Sequence, residues 1–70
     1  MDSLEKFERR FGSVAIEKGF ITVEQLIESL KIQVMENLEG MHRPVGAILF
    51  SQKLITLEQI KAVLKTLGVY

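Results

Sequence analysis

Seventy residues, 47% of them apolar and 26% charged, suit one globular domain spanning 1–70 and leave no material for two independent cores. Nine basic residues balance nine acidic ones, which argues against non-specific nucleic-acid binding, since that draws much of its affinity from a basic excess. The chain has no cysteine, so a disulfide framework and a thiolate zinc site are excluded and a reducing, cytoplasmic setting is expected.

The opening segment, Met1 to Glu5, is acidic and lacks the charged-then-apolar profile of a secretory signal. Leu4, Phe7, Phe11 and Val14 then recur at helical spacing. This predicts either one helix from about Ser3 to Lys18, or a break near Arg10 with a new helix starting at Phe11 or Gly12. Gly19 is the natural residue just past the helix end. Thr22 opens the next helix: its hydroxyl can cap the backbone while Gln25 reaches back, and Ile21 with Leu26 supplies the matching hydrophobic staple. Ile27, Leu30, Val34 and Leu38 carry the stripe onward until Gly40 ends it, and Met41 to Pro44 lead away. The run Val45 to Phe50 is the longest apolar stretch, far too short to span a membrane. It is also the best strand candidate, yet a helix is expected there because of what it repeats.

The chain is duplicated. Arg10 to Gln33 aligns with Pro44 to Leu67 at an offset of 34 residues, with 34–43 between the copies. Gly12/Gly46, Ile21/Ile55, Thr22/Thr56, Glu24/Glu58, Gln25/Gln59, Leu30/Leu64 and Lys31/Lys65 are identical, and most other pairs exchange one apolar residue for another. Thr56, Gln59, Ile55 and Ile60 rebuild the cap and staple of the first copy. An all-α fold follows: two helix-turn-helix repeats packed about a pseudo-two-fold, with four to five helices. The expected core is Phe11, Val14, Ile21, Leu26, Leu30, Ile48, Leu49, Ile55, Ile60 and Leu64.

Catalytic constellations are missing. There is no Gly-rich phosphate loop, no cysteine nucleophile, and only one histidine, His42, placed between the repeats. Glu24 and Glu58 sit where acids favour a helix N-terminus. An enzyme is not expected.

The first copy carries Arg10-Phe11-Gly12, then Ile16, Gly19, Ile21, Leu26, Leu30 and Gln33. This string resembles the tandem motif of the N-terminal domain of type II secretion and type IV pilus assembly ATPases. In that family the motif runs Arg-Leu-Gly, an aliphatic residue, Gly-x-Ile, Leu, Leu and Gln, and the pair can bind cyclic di-GMP. The two copies cover most of the chain, with Phe11 as the main departure in the first. The second copy departs further, having Pro44 for Arg, Lys53 for Gly and Leu67 for Gln. A stand-alone module, without the motor domain of those ATPases, is expected. The resemblance therefore implies a cytoplasmic sensor or docking module whose partner is a secretion, pilus or signalling protein.

It also implies a set of ligand residues. Arg10 would pair with a phosphate or stack on guanine. Gly12 and its counterpart Gly46 would allow close approach to the backbone, and a helix starting at Gly12 would aim free N–H groups at an anion. Phe11, Leu26 and Leu30 would face the bases, and Gln33 would meet a polar edge. With one degraded half-site, either weak binding through the first copy or a homodimer pairing two first copies around one ligand is expected. The competing reading is a ligand-free adaptor or dimerisation domain, in which Phe11, Leu26 and Leu30 are core and the two glycines are helix contacts. A helix-turn-helix DNA reader fits poorly, because Val23 to Glu28 is acidic and apolar where base readout needs Arg, Lys or Asn.

Overall fold

A computed structural model describes residues 2–69, with side chains from Phe7 onward. The side chain of Leu4 lies outside the described residues. The fold consists of α1 (Asp2–Glu17), α2 (Val23–Leu38), α3 (Val45–Ser51) and α4 (Leu57–Leu67), and the described residues contain no strand. The apolar run at Val45 is thus helical.

The second helix of each repeat begins in the same way. Gln25 N–H donates to Thr22 Oγ1 at 3.1 Å while Thr22 N–H donates to Gln25 Oε1 at 2.9 Å. Thr56 and Gln59 reproduce both bonds at the same distances. Each cap satisfies two backbone donors that the helix itself cannot. Ile21 and Ile55, which precede the caps, are both buried.

The helix ends are equally alike. After α1, Phe20 N–H donates to Ala15 O and Gly19 takes φ 78°. After α3, Leu54 N–H donates to Leu49 O and Lys53 takes φ 63°. Gly40 and Gly68 end α2 and α4 with the same left-handed residue and the same six-residue backbone bond, from Met41 to Glu36 O and from Val69 to Leu64 O.

Packing runs between the copies. α1 lies against α4, α2 lies against α3, and α1 crosses α3 at the centre. Exchanging the two copies leaves this pattern unchanged, as a pseudo-two-fold requires. The buried centre holds Phe11, Ala15, Ile21, Val45, Ile48, Leu49, Ile55 and Val63. Val14, Leu26, Leu30, Ile60 and Leu64, expected in the core, are half-buried around that centre. Volumes are traded across the offset: bulky Phe11 answers Val45, and small Ala15 answers Leu49. One large and one small residue at each paired position keeps the crossing filled.

One local alternative is decided. α1 continues unbroken through Gly12, so that residue's N–H lies inside a helix and no helix N-terminus opens there. The inter-repeat segment 34–43 is helical as far as Leu38, as the stripe ending at Gly40 indicates.

Candidate functional site

Each of the residues named from the sequence has a definite place. Arg10 is exposed on α1. Phe11, one residue on, is buried, and its ring lies on Gly46: a Cβ built at Gly46 would stand 3.0 Å from Phe11 Cζ. Gly12 is covered from the other side, because a Cβ there would stand 2.6 Å from Leu26 Cδ2 and 2.7 Å from Leu26 Cδ1. Both motif glycines therefore act as seats for a neighbouring side chain. Helix α1 can approach α2 and α3 this closely because positions 12 and 46 have no side chain.

Gln33 is engaged as well. Its Nε2 donates to Glu8 Oε1 at 3.0 Å and to Arg43 O at 3.1 Å. The same Glu8 oxygen accepts the N–H of Val45, the first residue of α3. Pro44, the residue preceding that helix, offers no capping side chain, so a buried carboxylate from α1 does the capping across the fold. Arg43 closes the cluster: its Nε donates to Glu36 Oε1 at 3.0 Å and its Nη2 to Glu36 Oε2 at 2.6 Å. The hydrogen bonds from Arg43 hold the Glu36 carboxyl below its usual range, and the same bonds push the Arg43 guanidinium up. Glu8, Gln33, Glu36 and Arg43 together tie α1, α2 and the inter-repeat segment to the start of α3.

Two apolar surfaces stand out among the described residues. One is a groove of about 380 Å³ between α1, α3 and α4, lined by Phe7, Phe11, Pro44, Gly46, Phe50, Leu57, Ile60 and Leu64 among others. At the repeat offset its residues Pro44, Gly46, Ile60 and Leu64 correspond to Arg10, Gly12, Leu26 and Leu30. The groove thus belongs to the second copy, and in the first the Leu26 methyls lie against the matching glycine. The other surface is a shallow depression of about 550 Å³ on the outer side of α2, lined by Ile27, Leu30, Lys31, Val34 and Met35. Of the residues named from the sequence, Phe11 and Gly46 share the groove and Leu30 lines the α2 face. Arg10, Gly12, Leu26 and Gln33 line neither.

The α2 face groups several exposed apolar side chains on one helix. Ile27 is 48% exposed, Val34 57%, Met35 61% and Leu38 80%. Among the described residues no three His, Cys, Asp or Glu side chains gather to hold a metal ion, and no helix is long and apolar enough to cross a membrane. Compared with protein-family models, curated proteins and solved structures, the chain matches none.

Sequence reasoning missed Glu8 and the Arg43–Glu36 fork. Glu8 sits among charged neighbours in Glu8-Arg9-Arg10 and carries no local sign that it will be buried. Its role depends on the end of a helix 37 residues away.

Proposed function

We propose that the chain is a non-catalytic interaction module that docks through the outer face of α2. The observation that carries this reading is the run of exposed Val23, Ile27, Val34, Met35 and Leu38 on one helix of a small domain. Apolar side chains grouped this way gain free energy when a partner removes them from water. The resemblance to the N-terminal domain of secretion and pilus ATPases gives the partner class: a cytoplasmic secretion, pilus or signalling protein. Affinity capture with the whole chain tests it, with Val34→Glu as the control. Loss of the captured partner in the variant supports docking through α2. A chain that stays a monomer and captures nothing overturns it.

A second reading, cyclic di-GMP binding through the first repeat, keeps the exposed guanidinium of Arg10 as its support. It has to work without an N–H cradle at Gly12 and with Gln33 already bonded to Glu8. Titration followed by NMR decides it. Shifts at Phe11, Gly12 and Gln33 that Arg10→Ala abolishes favour binding, and no shifts at roughly millimolar ligand end it.

A further inference from the structure

The apolar face of α2 has the spacing of a coiled-coil seam. Val23, Ile27, Leu30 and Val34 follow one another at steps of four, three and four residues, the alternation of a and d positions in a heptad. Val23, Ile27 and Val34 are about half exposed, and Leu30 lies half-buried at the inner edge of the stripe.

Leu30 packs against the core of its own domain, but the fold does not require the exposed Ile27 and Val34. α4 takes the place of α2 in the second repeat, with the same cap and the same packing on the other copy. Yet α4 has Lys61 at the position of Ile27, and Gly68 stands at the position of Val34. An element that folds with lysine at that site has no internal need for isoleucine.

We infer that α2 pairs with α2 of a second copy of this chain in antiparallel orientation, forming a symmetric dimer. The inference rests on the reading of the α2 face as a docking surface and puts a second copy there in place of the secretion, pilus or signalling protein proposed above. The flanking charges select the arrangement. Glu24 and Lys31 occupy the two e positions on the solvent side of the seam, and both are exposed. In an antiparallel pair, e positions face e positions. Val23 then meets the partner's Val34, Ile27 meets the partner's Leu30, and Glu24 meets the partner's Lys31. The two-fold repeats each contact, so the seam is complementary to itself in apolar pattern and in charge.

A parallel pair loses this match. It sets g positions against e positions, whereas an antiparallel pair sets g against g; the g positions here, Leu26 and Gln33, offer Glu24 and Lys31 no opposite charge. Both are turned into their own domain, Leu26 over Gly12 and Gln33 onto Glu8. Lys31 is held in the single chain by one 3.5 Å contact to Glu28, with both side chains about two-thirds exposed. An ion pair of that kind contributes little and exchanges readily.

Sedimentation of the whole chain over a concentration series is the test. The wild type is expected to show a monomer–dimer equilibrium, and Ile27→Lys, which installs the α4 residue, to raise the dissociation constant by more than about tenfold with helicity unchanged. Glu24→Lys and Lys31→Glu are expected each to weaken the dimer several-fold, and the double swap Glu24→Lys/Lys31→Glu to restore it. These variants stand on the surface, so they report pairing even if Ile27→Lys disturbs folding. A dimer indifferent to Ile27→Lys, or a double swap that restores nothing, overturns the arrangement. A wild type that is monomeric at roughly millimolar chain, but loses capture of another protein on Val34→Glu, overturns the dimer and leaves the docking reading intact. A monomer that captures nothing overturns both.

Discussion

Two single residues show where the second copy has drifted from the device it repeats. Lys53 holds φ 63°, the conformation that Gly19 adopts at the same point of the first copy. A Cβ in the left-handed region costs about 1 kcal/mol, and glycine avoids that cost. Lys53→Gly should therefore raise stability by about 1 kcal/mol, read as a shifted urea midpoint with unchanged slope. Ser29 is the reverse case. It is fully buried, like its counterpart Val63, but its Oγ has no hydrogen-bond partner. Removing an unsatisfied buried hydroxyl relieves a desolvation penalty, so Ser29→Ala should stabilise by about 1 kcal/mol. A loss of stability in that variant would mean that the hydroxyl has a partner in solution.

At the scale of elements, α3 is the dependent one. It has 7 residues and no side-chain cap of its own, and isolated helices that short do not persist in water. Glu8 supplies the missing acceptor for Val45 N–H and receives Gln33 as well. Glu8→Ala would leave both donors without this partner and should cost about 2 kcal/mol, with amide exchange rising first in α3. The Arg43–Glu36 fork acts on the segment just before α3. Because the folded state holds the Glu36 carboxyl below its ordinary range, the fork's stabilisation is present above the unfolded pKa. It fades as pH falls through the lowered folded value. Thermal melts taken across that acidic range should show a loss that Glu36→Gln removes, since the amide cannot titrate.

For the whole molecule, the decisive fact is that packing runs between the copies. α1 rests on α4 and α2 rests on α3, while the crossing of α1 and α3 joins the repeats at the centre. A single repeat would keep its capping box but lose these partner helices and with them most of its burial. A peptide of residues 2–40 should thus be largely unstructured by circular dichroism, and mixing it with a peptide of residues 41–69 should recover helix. Helix in the first peptide alone would mean that each repeat is a folding unit. The same arrangement leaves the apolar face of α2 uncovered: α3 packs against that helix, while Ile27, Val34, Met35 and Leu38 remain exposed.

The all-α class, the duplication, both capping boxes and the ends at Gly19 and Gly40 were legible in the sequence. The caps and helix ends depend on neighbours three to five residues apart, and the spacing of Thr, Gln and Gly states them directly. The core was legible in outline: Phe11, Ile21, Ile48, Leu49 and Ile55 are buried as expected, while Ala15, Val45 and Val63 join them because of where the helices cross. The seven candidate ligand residues share a motif, but tertiary structure decided what each one touches. Whether Gly12 is covered, whether Gln33 is available and whether Glu8 is buried depend on partners 14 to 37 residues away. Such contacts are set by how helices of the two copies pack together, and a local pattern of residues carries no record of that distance.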